Sequence, residues 1–177
     1  MNIKDRTERT RRIAICAMLS AVGVVVLYLG SLIEVLDISM AVIASVFVIF
    51  AVIEYGKAAP WMIYGVTGIL SAILLPQKLP AAIYILFCGF YPIIKEKIEK
   101  LSSKIAQWAL KELIFNACLI ILMVLGNYIL MIDMKAWFAI EVVFFALANG
   151  TFVIYDIALT RIISLYIFRL RRKLRIK

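Results

Sequence analysis

The stretch RIAICAMLSAVGV, Arg12 to Val24, decides how the chain is read. It is as apolar as a membrane span, yet Ala14, Cys16, Ala17, Ser20, Ala21 and Gly23 carry very small side chains. At about 100° per residue, Ala14, Ala17 and Ala21 share one narrow helical face with Thr10 beside it, while Cys16, Ser20 and Gly23 lie nearly opposite. Lipid tails do not repel leucine, so small residues matter only where another helix must come close enough to gain dispersion contact. Two small faces on one helix therefore mean either two packing surfaces inside one bundle, or one internal surface and one left for a neighbour.

Working outward, the 177-residue chain is 65% hydrophobic and 18% charged and has no histidine, which is far more apolar than a soluble domain. A bilayer core requires about 20 apolar residues per helix, so a chain of this length holds about six spans and little else. The expected fold is an all-α integral membrane protein, a single bundle of six transmembrane helices. Charge, Pro and Gly bound the apolar runs and predict spans at 11–30, 38–55, 58–75, 79–94, 108–132 and 136–168, with a basic connector at 95–107 and a basic tail at 169–177. The connector, with Ile98, Leu101 and Ile105 among polar residues, reads as an amphipathic surface helix, a continuation of the fourth span or a plain solvated link. No small-x-small cleavage site follows the first apolar run, so residues 13–29 are expected to stay as the first helix. No internal repeat is visible, which argues against transporters built from inverted repeats.

The basic residues fix an orientation. Lys4, Arg6, Arg9, Arg11, Arg12, Lys57, Lys95, Lys97, Lys100, Lys104, Lys111 and the tail residues Arg169, Arg171, Arg172, Lys173, Arg175 and Lys177 fall on one side, against Lys78 and Lys135 on the other. Positive residues stay cytoplasmic, so both termini are expected inside a cell membrane crossed many times. This distribution also explains the net charge of +9 without nucleic acid as a partner.

Polar residues within the spans mark an interior. Glu112, Asn116, Met123 and Asn127 form one stripe, and Asn149, Asp156 and Thr160 another; polar groups are costly in lipid and turn toward protein or a wet cavity. Asn116 and Asn149 read as interhelical hydrogen-bond glue or as part of a site. Asp156 and Glu112 lie in the cytoplasmic half, within range of Arg161 or the loop lysines. Near the outer surface converge Glu34, Asp37, Lys78, Tyr84, Asn127, Trp137 and Glu141, with Asn149 at mid-depth. Glu141, in AIEVVFF, requires a donor, a cation or water. Together they outline an outward-opening pocket for a small, flat, polar molecule, although Glu34 and Asp37 taken singly also read as wetted loop residues.

Other chemistries lack their residues. The absence of histidine removes zinc-protease and most haem sites, and no GxxxxGK[ST] or GxSxG is present. Cys16, Cys88 and Cys118 sit in apolar runs without CxxC spacing and read as small packing residues. No enzyme, metal or cofactor is expected.

Six short helices with both ends inside, a basic segment leading into a first helix with AxxxA at Ala17 to Ala21, and no energy-coupling motif resemble the substrate-binding S component of an energy-coupling factor (ECF) transporter. LYLGSLIEVLD, LFCGFYPIIK and NGTFVIYDIALTRII are similar to segments of that group. The resemblance implies capture of a vitamin or similar micronutrient from outside, and docking on a scaffold transmembrane subunit driven by two cytoplasmic ATPases. It further implies that Ala14, Ala17 and Ala21 form the docking face, that Tyr84, Asn127, Glu141 and Asn149 serve the ligand, and that residues 31–37 form a lid. The alternative is a six-helix membrane scaffold of the MreD-like cell-shape type, in which the same small faces bind permanent partners and the outer polar residues hold no ligand.

Overall fold

The computed structural model describes residues 3–56, 58–129 and 141–170, and all regular structure among them is helical. In chain order these are α1 (Ile3–Ser31), a single 3-10 turn (Glu34–Leu36), α2 (Asp37–Glu54), α3 (Ala59–Leu74), α4 (Leu79–Ile83), a π-helical turn (Tyr84–Cys88), α5 (Tyr91–Ile98), α6 (Lys104–Ile129), α7 (Glu141–Leu165) and a second π-helical turn (Tyr166–Leu170). Five helices are long and apolar enough to cross a membrane: Arg6–Ser31, Asp37–Glu54, Leu79–Ile98, Lys104–Gly126 and Val143–Phe168. The sixth apolar helix, α3, has 16 residues, about 24 Å at 1.5 Å per residue, against roughly 30 Å for a hydrocarbon core. Large apolar side chains cover the outside, Ile154 at 70% and Met18 at 69% exposure among them, which suits lipid and not water.

Local chemistry sets the breaks. Prolines open α3, α4 and α5 in their first turns, where a missing N–H costs nothing. Pro92 has a second effect, because its ring excludes the carbonyl four residues back and it donates no hydrogen bond. The helix yields just upstream, and the Gly89 N–H donates to the Tyr84 carbonyl at 2.8 Å, a π-type closure. Leu79–Ile98 is thus one span made of α4, the π turn and α5. At the end of α2, Gly56 adopts φ +68° and its N–H reaches the Ala51 carbonyl at 3.2 Å, a left-handed cap that a Cβ would strain.

α1, α2 and α3 form the tightest part of the bundle. Buried Leu27, Ala44, Val48, Ala51 and Ile63 fill it, and a Cβ added at Gly30 would stand 2.7 Å from that of Met40, so α1 and α2 approach only because this residue is glycine. The two small faces of α1 have different fates. Cys16 and Ser20 are buried at 3% and 2%, and Gly23 packs on Thr67 of α3, whereas Ala14, Ala17 and Ala21 are exposed.

Helices consecutive in the chain run antiparallel, with Leu79–Ile98 taken as one. The Arg12 guanidinium sits 5.7 Å above the Tyr55 ring, Tyr166 donates to Glu54 at 3.0 Å, and Lys95 and Lys111 meet Asp156. One end of the bundle therefore collects the start of α1 and α6 and the ends of α2, α5 and α7. At the other end Lys78 caps α3, its Nζ donating to the carbonyls of Ala72 at 2.9 Å and Leu75 at 2.7 Å.

Each predicted span overlaps an apolar helix, although α1 reaches back to Ile3 from the predicted 11 and the bounds differ again around the connector. Residues 95–98 continue α5, a short turn follows, and α6 begins at Lys104, so no separate surface helix forms.

Candidate functional site

α2, the fourth span, α6 and α7 line a partly open cavity of about 380 Å³. Its walls are almost wholly apolar and include Phe87, Phe115, Phe144, Phe152 and Tyr155. The helix positions locate it: Ile38 and Val42 from the start of α2, Ile83 and Leu86 from the start of the fourth span, Leu122 well along α6 and Phe144 early in α7. All of these lie in the half of the bundle away from Lys95, Lys111 and Asp156. The π turn supplies Phe87 and Cys88, consistent with the tendency of such turns to occur at functional sites.

Beneath the cavity lies an aromatic layer. Phe115 and Phe152 stack at 4.6 Å and 10°, and Phe87 stands edge-on to both at 5.2 and 5.7 Å. Phe87 also meets Tyr91 at 4.9 Å. Each such pair contributes about 0.5–1.5 kcal/mol beyond its area, so the layer is a stiff floor.

Below the floor is a buried ion cluster. Asp156 of α7 receives Tyr91 Oη at 2.6 Å and Lys95 Nζ on Oδ1, and Lys111 Nζ at 2.9 Å on Oδ2. Both lysines also reach Glu99 Oε1, at 2.8 and 3.0 Å, and Lys95 donates to Thr160 Oγ1 at 2.9 Å. The side chains of Lys95, Lys111 and Asp156 are only 1%, 6% and 4% exposed. Two ammonium and two carboxylate groups sum to zero charge, which is what permits the burial. The cluster ties the fourth span, α6 and α7 together below the aromatic floor.

Of the sequence-predicted site residues, those with described side chains, Asp37, Lys78, Tyr84 and Asn149, do not line this cavity. Asn149 faces Asn116 instead, and the two amides exchange hydrogen bonds at 2.9 and 3.3 Å. Tyr84 is fully buried among Tyr64, Thr67 and Gly89; its ring fits because Gly89 has no Cβ, which would stand 2.9 Å away. Asp37 is 4% exposed in the first turn of α2, and Lys78 is engaged at the end of α3. Trp137 lies outside the described residues, as do the side chains of Glu34, Asn127 and Glu141. Sequence reasoning missed the aromatic set of Phe87, Phe115, Phe152 and Tyr155; three of its members, Phe87, Phe152 and Tyr155, stand in the quoted LFCGFYPIIK and NGTFVIYDIALTRII segments.

Among the described residues no group of histidine, cysteine or carboxylate side chains is placed to hold a metal ion. What the site offers is a shaped apolar volume with a sealed base. Compared with family models, curated proteins and solved structures, the chain matches none of them.

Proposed function

We propose that this chain is the substrate-capturing membrane subunit of an ECF-type importer, crossing the bilayer six times with both termini in the cytoplasm. The carrying observation is the cavity: it occupies one half of the bundle and is floored toward the other by the aromatic layer and the ion cluster. The excess of Lys and Arg toward the ion-cluster end supports a cytoplasmic position for that end and, with it, an outer position for the cavity. A binding volume toward the outside with a closed cytoplasmic base suits a protein that collects a vitamin-like small molecule and hands it on. It does not suit a channel.

Such a subunit requires a docking surface for the scaffold subunit and its two ATPases. The exposed Ala14, Ala17 and Ala21 supply a shallow, smooth stripe on α1, which lets another helix approach closely within lipid. Ala17→Trp is expected to abolish uptake in cells while leaving small-molecule binding by the purified protein unchanged. Unchanged uptake refutes the docking role, and a purified protein with no small molecule bound and none bindable favours the membrane-scaffold alternative.

A further inference from the structure

The walls of the cavity restrict what it can hold. Among the described residues neither an ammonium nor a carboxylate lines it, and Lys95, Lys111 and Asp156 beneath the Phe87, Phe115 and Phe152 layer are bonded to one another. The amides of Asn116 and Asn149 are likewise turned to each other. Two of the lining residues carry hydroxyls, and both have committed their hydrogens: Thr151 donates to the Leu147 carbonyl at 2.9 Å and Tyr155 to Ser45 Oγ at 3.2 Å. What they retain for an occupant is lone pairs.

A charged cargo would give up water against these apolar walls and meet no counter-charge among the described residues, at a cost of several kcal/mol. An N–H or O–H on the cargo would find an acceptor in Thr151 or Tyr155. The flat faces and edges of the phenylalanines favour a ring, which extends their stacked and edge-on pattern. Resting on the capture reading above, we propose that the cavity takes an uncharged, predominantly apolar ring molecule carrying one or two hydrogen-bond donors.

Two probes with one skeleton test this. N-phenyl-naphthylamine is neutral with a single N–H, and anilinonaphthalene sulfonate adds only a negative charge. Native mass spectrometry of the detergent-solubilised full chain reads retention and stoichiometry of each. The neutral probe is expected to bind one per protein and the sulfonate at least tenfold more weakly. Ala148→Phe, which adds a ring into the cavity, should weaken the neutral probe at least tenfold, and Cys118→Phe serves as an independent filling variant. Ile154→Phe, on the exposed face of the same helix, should not. Equal binding of the two probes, or retention of lipid in place of either, overturns the proposal while leaving capture intact; so does a neutral probe indifferent to both filling variants. If neither probe binds and no small molecule co-purifies, capture and this inference fall together.

Discussion

Replacing Asp156 with asparagine tests the buried ion cluster most directly. The substitution keeps the size of the side chain and an acceptor for the Tyr91 hydroxyl, but changes the charge of the set Lys95, Lys111, Glu99 and Asp156 from zero to +1. Breaking a buried pair by neutralising one partner costs about 3–5 kcal/mol, because a buried charge is left uncompensated. Glu99 still contacts both lysines and is 38% exposed, which allows some solvent relief, so the lower end of that range, about 3 kcal/mol, is expected. For a protein of this size that is about 6–12 °C in melting temperature. Adding Lys95→Met to Asp156→Asn leaves Lys111 and Glu99 as a neutral pair. The double variant should therefore be more stable than Asp156→Asn alone, by about 2 kcal/mol. Tryptophan fluorescence during thermal unfolding in detergent micelles measures all three proteins. Asp156→Asn melting within about 2 °C of the parent, or a double variant no more stable than that single one, refutes the claim that charge balance holds these helices together.

Two further substitutions test packing. Gly89→Ala would bring a Cβ within 2.7 Å of the Tyr64 ring and 2.9 Å of the Tyr84 ring, and should cost about 1–3 kcal/mol, whereas Gly65→Ala enters open space and should leave the melting temperature unchanged. Asn116→Ala and Asn149→Ala should each cost about 0.6 kcal/mol, and the double variant little more than either, since both remove the same paired amides; full additivity in unfolding measurements would show that the two do not act together.

Much of the architecture was legible because lipid imposes a simple code. The apolar runs bounded by Pro, Gly and charge overlap the observed helices, although α1 begins at Ile3 and not at 11, and helical arithmetic alone separated Cys16, Ser20 and Gly23 from Ala14, Ala17 and Ala21. Asn116 and Asn149 were one of two open readings and proved to be mutual partners. The cluster was harder to see. Asp156 could be matched to the loop lysines as a group, but nothing in the order of Lys95, Lys97, Lys100, Lys104 and Lys111 says which two turn inward while Lys100 stays on the surface with Glu96. That choice depends on the phase of each helix where it leaves the bilayer. The cavity was less legible still, because a void is what four helices fail to fill and no single segment encodes it. Of the polar residues collected near one surface, Lys78 is committed at the end of α3.

The π turn at Tyr84–Cys88 also governs rotation along the fourth span. One surplus residue wound into a turn advances every later side chain by about 100° relative to an uninterrupted α-helix. Tyr91 and Lys95 follow it, so their direction toward α7 is inherited from the insertion upstream. Pro92 holds that insertion in place by denying Cys88 its usual helical donor. A single ring closure thereby couples two distant parts of one helix: it presents Phe87 and Cys88 to the cavity and aims the lysine beneath it, as a crank sets the angle at both ends of a shaft.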